Sequence, residues 1–151
     1  MKTYVLMLSD SFPANHAMHG KPTYFREKFL GTPGMLRKLH TIRANYTLWA
    51  KRFEKINAGE ACLSIRQWTD APYRSKQVEI ARLTREDGIG IQRLDFANLY
   101  GCDRHFVDGY DVQLQELANK DGLSLEDWLE WFKGYDQTKP LAIIHFTKFR
   151  Y

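Results

Sequence analysis

Three segments of strand character follow one another between residues 61 and 96, with no helix-length stretch between them. "ACLSIRQW", residues 61–68, alternates. Ala61, Leu63 and Ile65 fall on one face and Cys62, Ser64, Arg66 and Trp68 on the other, the period of two expected of a strand. "TDAPY" supplies a turn. "KQVEIARL" then reads as a second strand with Val78 and Ile80 aligned, and "GIGIQRLDF" as a third. Parallel neighbours need a crossover of roughly a dozen residues or more, usually a helix. Consecutive strands without one argue against a doubly wound sheet.

The flanking segments complete the order. "TYVLML", residues 3–8, is a continuous, partly β-branched apolar run and predicts a buried strand. "SDSFPANHAMHGKP" is a loop rich in turn formers. Residues 23–30 suit a short helix with Thr23 as N-cap and Phe25 and Phe29 one turn apart. "GTPG" breaks the chain, and "HTIR" is a short strand. Asn45 can cap a helix over 46–56 whose apolar face is Trp49, Phe53 and Ile56, with Gly59 suited to the left-handed turn at its end. A helix over roughly 111–119 would turn Val112, Leu114 and Leu117 inward. The next begins at Ser124, with Asp127 three residues on and Leu123 able to staple to Trp128. Its stripe is Leu125, Trp128, Leu129 and Phe132. Trp49 and Trp128 are core candidates, whereas Trp131 should be partly exposed. "LAIIHFTKF" closes the chain as a β-branched, aromatic strand. The whole predicts an α+β fold over residues 1–151 as one domain: a small, mixed, strongly twisted sheet or β-barrel with short helices packed at its ends.

At 44% hydrophobic and 14% aromatic residues the chain can bury a core. No apolar run approaches the roughly 18 residues of a membrane span. "MKTYVLMLSD" is short for a secretory segment and lacks a small-residue cleavage site, so no membrane partner is expected. Cys62 and Cys102 are the only cysteines and form no C-x-x-C pair, which makes a reducing cytoplasm the expected location. "HAMH" presents His16 and His19 without an accompanying carboxylate or thiolate, so neither metal nor cofactor is expected. The net charge is +4 but uneven: residues 21–85 carry fourteen Lys or Arg against five Asp or Glu, and residues 86–136 four against twelve. A basic half attracts phosphate-bearing ligands, unless the two halves merely pair across the fold.

The basic half contains "RKLHTIR", residues 37–43. In an uninterrupted strand Lys38 and His40 would point one way, Thr41 and Arg43 the other. Lys38 and Thr41 meet only if the chain bends near Leu39. If they meet, a lysine whose pKa is depressed by burial or by a cationic neighbour, such as Arg43 or Arg66, becomes a base for the Thr41 hydroxyl. The same residues also make a static anion site, in which Lys38, Arg43, Arg66, Arg74 and Lys76 supply charge. Trp68 and Tyr73 interleave with these cations as stacking surfaces for unpaired bases. His40 belongs to the same candidate binding set, although its place beside Ile42 suits a packed, hydrogen-bonded ring better than a ligand or base. Thr41 is also an ordinary strand former, and Asp121 before Gly122 an ordinary turn residue.

Four features resemble the ASCH domain family, small β-barrels related to the PUA fold. They are the short helix leading into "RKLHTIR", similar to a glycine-lysine-x-x-threonine-x-arginine signature; the Gly-Glu step in "NAGEACLSIRQW"; the late helix "DGLSLEDWLEWF"; and the final strand "AIIHFTKFRY". The resemblance implies a cleft between the lysine-bearing loop and the late helices that binds RNA or a nucleotide. One bacterial branch is an amidohydrolase that removes acetyl from acetylated cytidine with a lysine, a threonine and a glutamate. These map onto Lys38, Thr41 and Asp121. Leu36 stands where the family has a glycine ahead of its lysine, leaving Gly34 to build the loop, and Asp121 is one methylene shorter than the family glutamate. A third class remains open: a protein-interaction module presenting the acidic helices at 111–133.

Overall fold

Residues 61–68 become the middle strand of a sheet, and that position decides their burial. The computed structural model describes residues 1–96 and 104–151. In it β3 (Ala61–Trp68) lies between β1 (Lys2–Met7), which runs parallel to it, and β4 (Gln77–Leu83), which runs antiparallel. Both faces of β3 are covered over its first half. Cys62 and Ser64 are as buried as Ala61, Leu63 and Ile65, and a half-buried residue first appears at Arg66. The ladder slips register between Ile65 and Arg66, a bulge that re-aims the strand's outer end. β1 is an edge strand with only Leu6 fully buried, so the expected burial of residues 3–8 holds for one side chain of the strand and for Leu8 beyond it.

The second sheet runs β2–β8–β5–β6–β7, antiparallel throughout: β2 (His40–Arg43), β8 (Leu141–His145), β5 (Gly90–Asp95), β6 (Arg104–Val107) and β7 (Tyr110–Gln113). β8 is flanked on both sides, and all five of its residues are buried. The chain is thus an α+β fold with two separate sheets. Among the described residues no strand pairs from one sheet to the other, so they are not closed into a barrel.

Helix α2 (Tyr46–Asn57) connects the sheets. Asn45 caps it, Oδ1 accepting the Leu48 N–H at 3.2 Å, and Trp49, Phe53 and Ile56 point into the core against β3, β5 and β8. Helix α1 (Phe25–Leu30) differs from expectation at its start. Tyr24 takes the cap position in the left-handed region, and the Thr23 hydroxyl donates to the Ser9 carbonyl at 2.6 Å while accepting the Phe25 N–H at 3.3 Å. Thr23 therefore ties α1 to the end of β1 instead of capping it.

The helix expected over 111–119 splits. Residues 110–113 form β7, and α3 spans Leu114–Lys120. The cause is "DG" at 108–109, with φ +49° at Asp108 and +84° at Gly109, which turns β6 back on itself as a hairpin. Helix α4 (Leu125–Phe132) begins as expected, the Ser124 hydroxyl accepting the Asp127 N–H at 3.2 Å. Its apolar stripe is rotated. Trp128 and Phe132 are buried, Leu129 is exposed, and Trp131 packs at 5.7 Å from Phe12 and 5.6 Å from Phe25. Among the described residues no helix is long and apolar enough to cross a membrane.

Candidate functional site

β2 begins at His40, so Lys38 precedes the strand and escapes its alternation. The Lys38 N–H donates to the Lys28 carbonyl at 3.1 Å and the Leu39 N–H to the Lys120 carbonyl at 2.8 Å, which stitches the bend between α1 and α3. Lys38 and Thr41 consequently line one small pocket, with Ser9, Phe25, Arg43 and Asp121. The free space there is about 10 Å³, room for roughly one water.

Lys38 is buried. Its Nζ donates to Asp121 Oδ1 at 2.6 Å and to the Asp121 carbonyl at 2.8 Å, and lies 3.9 Å from the centre of the Phe25 ring. Asp121 terminates α3, and Gly122 follows at φ +80°. A Cβ at 122 would stand 3.2 Å from Lys28 Cδ and 3.3 Å from Lys38 Cβ. Glycine therefore serves both the turn and the close approach of the two chains. Loss of solvent pulls the Lys38 amine down from 10.5 to about 8, against the raising effect of Asp121, while Arg43 and Lys28 add to the fall. Burial also pushes the Asp121 carboxyl up, but Lys38 and His40 together outweigh it and hold that carboxyl at about 2. The pair is charged between those two values.

Thr41 is buried beside this pair. Its hydroxyl oxygen accepts from Arg43 Nη1 at 2.6 Å, and the same guanidinium donates to the Ile42 carbonyl at 3.0 Å and the Met7 carbonyl at 2.5 Å. Arg43 thus bridges the two sheets and leaves the Thr41 proton free of that contact. His40 is completely buried, with Nε2 2.5 Å from the Tyr151 hydroxyl and Nδ1 3.8 Å from Asp121 Oδ1. It offers no atom to a ligand in solution, and the packed reading of this residue fits its position.

A larger cavity of about 420 Å³ adjoins the pocket, and Ser9 lines both. The loop after β1 forms one wall; Trp68, Asp70, Pro72 and Tyr73 form the other. The Trp68 and Tyr73 rings lie 5.3 Å apart, and Tyr73 projects 90% exposed from a loop where its own φ is +62°. The cations expected to share this cleft lie elsewhere. Arg66 is turned to the Ser64 hydroxyl at 2.8 Å, to Gln77 at 3.1 Å and towards Glu79 at 4.0 Å, so Lys28 takes the place expected of it as a neighbour of Lys38. Arg74 and Lys76 are exposed on the β3–β4 loop, and the cavity wall carries the carboxylates Asp10 and Asp70 instead. No family model, curated protein or solved structure matches the chain.

The remaining candidates have structural duties. His16 accepts the Met18 N–H on Nδ1, its Nε2 lies 2.9 Å from the Asp127 carbonyl, and its ring packs on Phe12 at 4.5 Å. Among the described residues no group of three His, Cys, Asp or Glu is placed to hold a metal ion. Cys62 is a buried free thiol, and Cys102 lies outside the described residues. Ion pairs such as Arg82–Glu79 and Lys133–Glu130 are local, whereas Lys38–Asp121 joins the basic and acidic segments. Phe25, Lys28 and Tyr151 also build the site. Their sequence separations, up to 111 residues for His40 and Tyr151, leave no local pattern that could have pointed to them.

Proposed function

We propose that the chain is a cytoplasmic ASCH domain of the PUA-like class that binds RNA or a nucleotide in the cleft beside Lys38, Thr41 and Arg43. The observation that supports this most is the cavity of about 420 Å³ walled by Trp68 and Tyr73, whose inner end adjoins the Lys38–Thr41 pocket at Ser9. Exposed aromatic faces bind bases through stacking, at roughly 1–3 kcal/mol each. The left-handed backbone at Tyr73 is a conformation that costs free energy and is commonly retained where it serves a site. Asp10 and Asp70 suit the amino edges of a base, and phosphates are better placed against Arg74 and Lys76 on the outer side of the same loop. Titration calorimetry with nucleosides, nucleotides and short single-stranded RNA at two salt concentrations tests this. Binding should be lost in Trp68→Ala and should weaken with salt for the phosphate-bearing ligands. No binding at low salt overturns the reading.

A second reading is favoured by the Lys38 amine, which burial places at about 8, in the same pocket as the Thr41 hydroxyl. Roughly one-tenth of it is then neutral at pH 7 and able to act as a base. In an amidohydrolase acting on acetylated cytidine, Thr41 Oγ1 attacks the acetyl carbonyl and its proton passes to Lys38. The carbonyl–nitrogen bond breaks, the leaving nitrogen takes that proton, and water then releases acetate from the threonine ester. Arg43, already on Thr41 Oγ1, stabilises the oxygen as it loses its proton. Asp121 holds Lys38 in place. Chromatography for free cytidine decides this, and activity that survives in Thr41→Ala refutes the assigned nucleophile.

A further inference from the structure

The Lys38–Asp121 pair poses a problem for either use of Lys38. Both groups are buried, and if the amine turned towards Thr41 or a ligand it would leave an uncompensated carboxylate with too few partners away from water. One buried nitrogen stands ready beside it. His40 Nδ1 has no hydrogen-bond partner and lies 3.8 Å from Asp121 Oδ1, beyond bonding distance but within a small movement of it.

The surroundings determine which His40 nitrogen carries the proton. Tyr151 is anchored through its backbone, its N–H donating to Gln92 Oε1 at 2.9 Å and its carbonyl accepting from Gln92 Nε2 at 3.4 Å. Its hydroxyl is thereby fixed 2.5 Å from His40 Nε2. Burial, with Asp121 and Glu116, raises the Tyr151 phenol, so it keeps its proton and can donate it to Nε2. Nδ1 then carries the ring hydrogen and turns it towards the carboxylate. The opposite tautomer would aim a lone pair at a negative charge in a dry interior. The other groups facing the ring do not compete for Nδ1. His145 crosses it at 5.5 Å with its own Nε2 donating to Gln92, and burial, with Lys38 and Lys120 beside it, disfavours a charged imidazole against the pull of Asp121.

We propose that His40, oriented by the hydroxyl of Tyr151, is a positioning residue that takes over the Asp121 carboxylate when Lys38 turns away to a ligand. The proposal rests on the reading of Lys38 as a functional amine, but it can be tested without any ligand. In the full chain labelled with ¹⁵N-histidine, and assigned by the signals missing in His40→Gln, Nδ1 should be the protonated, pyrrole-type nitrogen and Nε2 the pyridine-type one. In Tyr151→Phe the Nε2 signal should shift as that nitrogen loses the hydroxyl, while Nδ1 stays protonated against Asp121. In Lys38→Met, which removes the ammonium but keeps the stem, His40 should become doubly protonated at pH 7 as it pairs with Asp121. A wild-type protein with hydrogen on Nε2 overturns the proposal even if Tyr151→Phe and Lys38→Met do not fold. A folded Lys38→Met whose His40 signals are unchanged overturns it as well. Because these signals are read without nucleoside, they decide the role of His40 whether or not the cleft proves to bind one.

Discussion

Replacing Asp121 with Asn keeps the shape of the site and removes its one buried negative charge, so the consequences depend on pH in a way that can be worked out. In the wild type the Lys38 amine is lowered to about 8 in the folded chain, against 10.5 when free. The folded state therefore binds this proton more weakly than the unfolded state does. Stability falls by about 1.4 kcal/mol per pH unit as pH drops from the unfolded value towards the folded one, then stops falling once the folded lysine is also protonated. Asp121 is what holds that floor at about 8. In Asp121→Asn the folded lysine has only the backbone carbonyl of residue 121 and an amide, its pKa falls further, and the loss continues below pH 8. The variant should thus be destabilised relative to wild type by an amount that is smallest near pH 9. That amount should widen by up to about 1.4 kcal/mol per unit below pH 8, reaching roughly 3 kcal/mol at pH 6. This agrees with the roughly 3–5 kcal/mol typical of breaking a buried pair from one side. Urea unfolding at pH 6, 7, 8 and 9, compared at constant m-value, measures it. A difference that does not widen between pH 9 and pH 6 would refute the claim that Lys38 is a buried cation held by Asp121.

Other perturbations have simpler expectations. Below neutrality the Asp121 carboxyl, held at about 2 against an ordinary 3.8, contributes roughly 2 kcal/mol that is fully present above 3.8 and lost as pH falls through 2; urea titrations at pH 5 and pH 2 should show this component in wild type and not in Asp121→Asn. Gly122→Ala forces a side chain into the left-handed region and against Lys38 and Lys28, which should cost about 1–2 kcal/mol or more and shift the Lys38 titration. Ser124→Ala removes the cap of α4 and should lower stability by about 1 kcal/mol with no change in the Lys38 titration. Tyr73→Ala leaves a 90% exposed side chain's site empty, so stability by thermal unfolding should hold while base stacking, read by Trp68 fluorescence, weakens.

Local chemistry made much of the fold readable. The caps at Asn45 and Ser124, the apolar face Trp49–Phe53–Ile56 and the apolar run at 141–145 each act over a few residues, and the structure contains each of them. Where reading failed, a neighbour in space had overridden a local preference. Ser64 and Cys62 look outward-facing by alternation but are buried because β3 is covered on both faces. Thr23 looks like a cap but spends its hydroxyl on Ser9. Residues 110–113 follow a helical pattern but pair with β6, because the Asp108–Gly109 turn brings that strand alongside.

The candidate site divides in the same way. Seven residues were enough to identify Lys38, Thr41 and Arg43 as a group needing a bend, since strand periodicity alone separates the first from the other two. The bend itself comes from hydrogen bonds to Lys28 and Lys120, the partner Asp121 lies 83 residues away, and Tyr151 reaches His40 across 111. Residue type and short-range spacing determined which groups this chain could bring to chemistry. Which of them are charged, buried or within reach of one another was decided by long-range packing, because desolvation and Coulomb forces depend on distance in space and not on distance along the chain.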